Sequence, residues 1–244
     1  MSRLVVLQHL DREGPGLFAK IAQEREMDLC IFRLDQGDER PQLLKGDLLL
    51  ILGGSMGIRD MNYPNYPWMS KELDLIKDAF SKNIGIIGVC LGAQLLAVAA
   101  GGDVEVLLEE SSSNPLPEIG WGRIFFNKSS KQDLCSFWGD ISFPVLHWHG
   151  DRIVLPPSAA LIASSHRCKE QFFRIGDLAY GLQFHLEIEE EMFLRWIVED
   201  NEFIKLGLGV NAESILREQQ NKYGNQTFHD RLNLLRRIFD DIGF

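Results

Sequence analysis

The stretch "IGIIGVCLGAQLLAVAAGG", Ile84 to Gly102, decides the fold. Ile84, Ile86, Ile87 and Val89 form the short apolar run of a strand buried on both faces of a parallel sheet. Gly88-Val89-Cys90-Leu91-Gly92 then sets one reactive side chain between two residues without a Cβ, the spacing of a nucleophile elbow with sulfur in place of a serine oxygen. Leu91 to Ala100 is rich in Ala and Leu, so a helix is expected directly after the cysteine, where its free N–H groups and dipole favour a thiolate. Taken alone, the elbow leaves two readings of Cys90 level: a nucleophile, or the small buried hydrophobe that most free cysteines are.

Upstream, the pattern alternates. "RLVVLQHL" reads as a strand, "GLFAKIAQERE" as a helix, and "DLCIFRL" and "DLLLILGG" as two further strands. "WMSKELDLIKDAFSKN" carries apolar residues at helical spacing (Trp68, Leu73, Ile76, Phe80) and leads into the opening strand. Strands alternating with helices imply an α/β fold with a doubly wound, mostly parallel sheet of the flavodoxin-like kind, flanked by helices. From about Val104 to Glu187 the segments become short and strand-like ("EIGWGRIFF", "FPVLHWHGDRIVL", "ALIASS", "QFFRIG", "AYGLQFHLE"), a β-rich second half expected to continue the sheet with an antiparallel extension. The runs "EEEMFLRWIVEDNEFIKLG", "NAESILREQQNKYG" and "FHDRLNLLRRIFDDIGF" then predict two or three amphipathic C-terminal helices. No Pro/Gly/Ser-rich linker separates these parts, so one domain with a helical tail is expected.

Composition narrows the function class. A chain of 244 residues with 45% hydrophobic content can bury a substantial core. A net charge of −10, with no basic stripe, argues against nucleic acid as a partner. No apolar run approaches a membrane span, and the N-terminal "MSRLVVLQHLDREG" is unlike a secretory signal, so a cytoplasmic location is expected. Cys30, Cys90, Cys135 and Cys168 lie far apart without metal-type pairing, which suggests reduced thiols, no disulfide and no metal site.

Sites in open α/β sheets collect at the carboxyl ends of strands, and three features fall there. The first is Cys90. The second is "LGGSMGIRD", where Gly53 and Gly54 follow an apolar strand and could offer bare backbone N–H groups to an oxyanion, or form an ordinary strand-to-loop turn. The third is "GLQFHLE", where His185 and Glu187 end a strand-like run. Residues two apart in a strand point the same way, so Glu187 could orient the imidazole of His185 while its other nitrogen faces Cys90.

"GVCLGAQ", the upstream "GGSMG" and the downstream "GLQFHLE", in this order, resemble the class I glutamine amidotransferases, the Cys-His-Glu group. "HWHGD" (His147 to Asp151) is similar to the matching segment in the amidotransferase domain of GMP synthetases. The resemblance implies an amidotransferase-like domain over residues 1–190 and a C-terminal helical extension over 191–244 packed on it. It further implies Cys90 as nucleophile, His185 as general base and then acid, and Glu187 as the residue orienting His185. Gly54 and Leu91 would supply the oxyanion hole, and Gly53, Gln94, Trp148 and His149 would hold a glutamine-like substrate. No cofactor and no metal is implied. The implied reaction is cleavage of the γ-carboxamide of glutamine through a cysteine thioester, with ammonia passing to a separate synthase subunit in one reading. A free-standing γ-glutamyl peptide hydrolase is the second reading, favoured by the lack of a synthase domain or P-loop in this sequence. A non-catalytic regulator is the third. The family motif usually has proline between the His and the Glu; Leu186 stands there, and the triad is expected to survive the change.

Smaller features receive structural readings. "PNYPWM" (Pro64 to Met69) is expected to be a rigid turn capping the next helix, and "EESSSNP" (Glu109 to Pro115) a mobile surface loop. Glu187 to Glu191 reads as a helix N-terminus, and Phe193, Leu194 and Trp196 as a core-facing stripe.

Overall fold

The computed structural model describes residues 2–109, 112–127 and 142–244. Strands form where the apolar runs place them: β1 (Arg3–Leu7), β2 (Asp28–Phe32), β3 (Asp47–Ile51) and β4 (Gly85–Val89), alternating with α1 (Leu17–Glu24), α2 (Trp68–Ser81) and α3 (Leu91–Ala99). Every residue of β3 and β4 is buried, which is why both read as unbroken apolar runs. The second half supplies β5 (Asp103–Val106), β6 (Glu118–Phe126), β7 (Ser142–His149), β8 (Asp151–Val154), β9 (Ala159–Ser164), β10 (Phe172–Ile175) and β11 (Ala179–Leu182). It closes with α4 (Glu190–Glu199), α5 (Asn201–Leu208), α6 (Ala212–Tyr223) and α7 (Phe228–Ile242).

Among the described residues nine strands make one sheet in the order β2-β1-β3-β4-β11-β10-β9-β6-β7. The first five pair in parallel, in registers such as Leu4↔Leu48 and Gly181↔Gly88. The last four are added antiparallel, as expected of the β-rich half. β5 and β8 pair apart from them as a two-stranded ribbon. From β1 the chain steps outward to β2, then back across β1 to β3 and β4, so the loops at the carboxyl ends of β1, β3 and β4 frame the crevice where such sheets hold ligands.

Both sheet faces are covered. Leu4, Val6, Leu48 and Leu50 pack under α1 and α7, while Val5, Leu49 and Ile51 pack under α2 and α3. α7 gives Leu232, Leu234, Leu235, Ile238, Phe239 and Ile242 to the first of these cores, so the tail is part of the body. A third cluster joins Trp121, Leu146 and Trp148 of the antiparallel strands to α4, α5 and α6.

Three local expectations need correction. The run from Glu189 to Gly207 is two helices, α4 and α5, making four in all. Asp200 leaves helical geometry at φ −105°, ψ 27° and its carboxylate is drawn to Arg12 at 2.7 Å and the Trp148 indole at 2.8 Å. Leu194 is exposed, while Phe193 and Trp196 are buried, because Leu194 falls on the outer face of α4. β11 ends at Leu182, so His185 and Glu187 lie beyond the strand and are not aligned by strand period. Pro67 caps α2 as expected, and Glu190 and Glu191 occupy the first turn of α4. Cys30, Cys90 and Cys168 are free thiols; Cys135 lies outside the described residues, as do Glu110 and Ser111 of the "EESSSNP" segment. Among the described residues no helix is long and apolar enough to cross a membrane.

Candidate active site

Cys90 sits at the turn between β4 and α3 with φ 51° and ψ −107°, a left-handed conformation that costs a non-glycine residue energy and is characteristic of functional sites. The flanking glycines are required by space: a Cβ on Gly88 would collide with the backbone of Gly92, and one on Gly92 with the carbonyl of Ile51 in β3. The elbow is further held by the Cys90 N–H donating to the Leu182 carbonyl at 2.7 Å. The thiol is buried and lies 3.9 Å from the Trp148 carbonyl. Leu91, as the first residue of α3, has a backbone N–H without an intrahelical acceptor beside the sulfur.

His185 and Glu187 are both buried, and Nδ1 meets Glu187 Oε1 at 2.6 Å. A carboxylate only accepts, so Nδ1 carries the proton, which leaves Nε2 for the Cys90 thiol, the ring's other hydrogen-bond partner. Burial alone would lower the imidazole pKa, but the Glu187 charge and the bond to Cys90 outweigh it and hold His185 well above its ordinary value. The backbone, not a strand, aligns the pair: His185 N–H donates to the Leu146 carbonyl of β7 at 2.9 Å. Buried Arg231 of α7 donates to the carbonyls of Leu186 and Ile188 at 2.9 and 2.5 Å. Leu186 points into the core in place of the usual proline, and Arg231 bridges the carbonyls on either side of Glu187. Trp196 stands edge-on to the imidazole at 4.7 Å.

Cys90 and His185 open onto a cavity of about 470 Å³, which Gly54, Leu91, Gln94, Trp148 and His149 also line. Gln94 presents a buried amide whose oxygen has no hydrogen-bond partner among the described residues. Trp148 contributes its backbone, because its indole is tied to Asp200. The His149 ring is turned to Asp151, Gln171 and Glu118, in a buried cluster that also holds His147, whose pKa burial pushes down to about 4. Gly53 does not reach the cavity: it packs behind Cys90 and His185, and its carbonyl accepts from His9 Nδ1 at 2.7 Å.

Several residues here escape the motif reading. Glu13 lines the cavity next to Arg12, which also pairs with Asp200 at 2.7 Å. Burial raises the Glu13 carboxyl above its ordinary range, against the opposing charge of His185. His9 forms a second buried pair with Glu72, at 3.0 Å, and stacks on Trp68. Burial would lower the His9 pKa, but the Glu72 charge, its hydrogen bond and that to Gly53 raise it. The sequence signal for all three is the polar run "HLDREG" at the carboxyl end of β1, the position at which sites in such sheets collect.

Comparison with known proteins identifies the family. The family model for glutamine amidotransferase class-I matches residues 17–202. A putative glutamine amidotransferase-like protein, YfeJ of Salmonella typhimurium, is 28% identical over 193 residues, covering 78% of this chain and 77% of that protein. Gamma-glutamyl peptidase 3 of Arabidopsis thaliana is 27% identical over 51% of this chain and 49% of its own length. A glutamine-hydrolysing GMP synthase of Pseudomonas putida is 26% identical over 70% of this chain, which spans only 31% of that enzyme. A glutamine amidotransferase structure from Thermotoga maritima superposes with a TM-score of 0.82 at 25% identity, covering 100% of this chain and 99% of that one. With three quarters of its length under the family model and the whole of its fold shared, the chain belongs to the class I glutamine amidotransferase family.

Proposed function

We propose that the chain hydrolyses a γ-glutamyl carbonyl through a thioester on Cys90. The observation that carries this is the buried His185 held between Glu187 and the Cys90 thiol at the floor of an open cavity. In this reading the thiolate attacks the γ-carbon and a C–S bond forms. The oxyanion is met by the backbone N–H groups of Gly54 and Leu91, each such donor being worth roughly 10²–10³ in rate elsewhere. Imidazolium His185 then gives its Nε2 proton to the departing nitrogen as the C–N bond breaks. Neutral His185 next takes a proton from water, which attacks the thioester; the C–S bond breaks, and glutamate and the thiol return. Glu187 keeps the tautomer and orientation of the ring throughout. Gln94 and the backbone of Trp148 and His149 hold the amino-acid end of the substrate.

The leaving group divides two readings. With glutamine it is ammonia, destined for a separate synthase; with a γ-glutamyl peptide it is an amino acid or peptide. The size of the cavity, in the range that houses ligands larger than one amino acid, and its apolar wall of Phe203 and Leu206 on α5 favour the second. The test is mass spectrometry of products from glutamine and a panel of γ-glutamyl dipeptides. Glutamate release from the dipeptides at higher kcat/KM than from glutamine supports the peptidase reading; the reverse order assigns the chain to ammonia supply. No release from any γ-glutamyl compound overturns the proposal.

A further inference from the structure

His9 makes two contacts, and both partners are acceptors: Nδ1 meets the Gly53 carbonyl at 2.7 Å and Nε2 meets the Glu72 carboxylate at 3.0 Å. Each ring nitrogen therefore donates a proton. The ring is 2% exposed, stacks on Trp68 at 4.8 Å, and does not line the cavity that holds Cys90, so it cannot touch a substrate there. What it does touch is one half of a single peptide unit. The Gly53 carbonyl and the Gly54 N–H belong to the same trans peptide plane, in which C=O and N–H point in opposite directions. With the carbonyl held toward His9, the Gly54 N–H is directed away from His9. Gly54 itself lines the cavity beside Cys90 and Leu91.

A peptide between two glycines is the kind that flips most easily, because neither residue resists φ > 0. A hydrogen bond from a buried cation to its carbonyl is a strong restraint against that flip, worth more than a neutral bond. We propose that His9, backed by Glu72, is a positioning residue that locks the Gly53–Gly54 peptide with its N–H turned to the cavity, so the oxyanion donor is set in the free chain. This rests on the reading of Gly54 as that donor. Three contacts co-operate: Glu72 anchors the outer nitrogen, Trp68 fixes the ring plane, and the inner nitrogen holds the loop.

His9→Phe keeps the stack on Trp68 and removes the donor, but strands the buried Glu72 charge. The double variant His9→Phe/Glu72→Met removes both polar groups together, an exchange that buried pairs often tolerate. In a γ-glutamyl substrate assay, the double variant is expected to lose roughly 10²–10³ in kcat with KM changed less than about threefold. Affinity for a γ-glutamyl aldehyde, which forms a tetrahedral adduct on the thiol, should fall by a similar factor. The rate of Cys90 alkylation by iodoacetamide, which needs no oxyanion donor, should stay within about twofold of wild type. His9→Gln, whose amide still reaches a carbonyl as a donor, should recover part of the kcat. A folded double variant with wild-type kcat and aldehyde affinity overturns the positioning role. Equal loss in alkylation and turnover also overturns it, by showing that the thiol, not the oxyanion donor, was disturbed. Failure of the proposed reaction itself would show differently, as an inactive wild-type protein.

Discussion

Two buried histidine–carboxylate pairs flank the elbow cysteine, and their difference lies in what each ring's second nitrogen faces. His185–Glu187 and His9–Glu72 are both almost fully buried, at 2.6 and 3.0 Å, and in both the carboxylate raises the imidazole pKa against burial. The second nitrogen of His185 meets a thiol, which can give up or take back a proton, at the edge of a cavity. The second nitrogen of His9 meets a carbonyl, which can only accept. On the proposed reading one pair moves a proton and the other holds one still. Burial and a shifted pKa do not separate the two roles; the partner on the far side of the ring does.

The hardest test of the proton-moving pair removes the group it acts on. Cys90→Ala should abolish γ-glutamyl hydrolysis, a loss of roughly 10⁶ by analogy with removal of other activated nucleophiles. The fold should persist, as read by an unchanged circular dichroism spectrum, because a small side chain replaces another. More than trace turnover in a folded Cys90→Ala protein would sink the assignment. Cys30 and Cys168, which lie outside the cavity, should be replaceable by serine with little change in turnover.

Glu187→Gln probes the carboxylate that distinguishes an oriented base from a free one. It should cost roughly 10²–10⁴ in kcat, leaving more activity than Cys90→Ala, since nucleophile and base remain. The Glu187 charge is the largest contribution raising the His185 pKa, so its removal lets burial pull the value down. On the proposed reading the imidazolium is the acid that protonates the leaving nitrogen. The alkaline limb of kcat/KM should therefore move to lower pH in the variant, and a pH profile checks it. The linkage has the same sign for stability: the pair's contribution is fully present below the ordinary value of 6.5 and is lost as pH rises through the higher folded value. An unmoved alkaline limb would assign it to another group.

Much of this was legible in the sequence. β3 and β4 declared themselves because a strand buried on both faces must be apolar throughout, and the elbow because only glycine fits at 88 and 92. The His185–Glu187 pair was found for a wrong geometric reason: strand period was invoked, whereas a bridge to Leu146 and the grip of Arg231 bring the side chains together past the end of β11. Those contacts span 39 to 45 residues of sequence, and no local pattern encodes them. His9 and Arg12 were missed for the same reason, since their partners Gly53, Glu72 and Asp200 lie 44 to 188 residues further along the chain. Their place at the end of β1 was visible; their chemistry was not. The split of α4 from α5 was hidden because helical periodicity runs across Asp200, and only its tertiary partners break the backbone there.

Arg231 offers a subtler way to sharpen the comparison, because it acts on the Glu187 backbone and not on a side chain. Its guanidinium holds the carbonyls of Leu186, Ile188 and Gly224, and burial lowers its pKa to about 10. Arg231→Met should destabilise the fold by about 3 kcal/mol through these lost charged hydrogen bonds. In a chain of this size that is a Tm fall on the order of 6–12 °C in a thermal melt. Turnover per folded molecule at low temperature should fall far less than in Glu187→Gln. A fall in kcat as deep as that of Glu187→Gln in fully folded protein would instead make Arg231 part of the reacting machinery.

The smallest expected effect is the one that decides what the enzyme serves. A subunit that feeds ammonia to a synthase wastes glutamine when idle, so its site is expected to be completed only when the partner docks. A self-sufficient hydrolase needs no such restraint. The contact of His9 with the Gly53 carbonyl comes from within the chain, and the elbow, the imidazole and its carboxylate are already joined there. On the proposed reading the free protein is therefore competent, and a γ-glutamyl chloromethyl ketone, whose carbonyl takes up the thiolate as a tetrahedral adduct before the thiol is alkylated, should label Cys90 without any added protein. Addition of cell extract should change the labelling rate by less than about twofold, against the 10²–10³ that completing an oxyanion hole would give. The measurement is the time course of labelling by intact-protein mass spectrometry, with Cys90→Ala as the blank. Slow labelling that accelerates by orders of magnitude only with extract would show that the donor is not set in the free chain, and would move the protein to the ammonia-supplying side of its family.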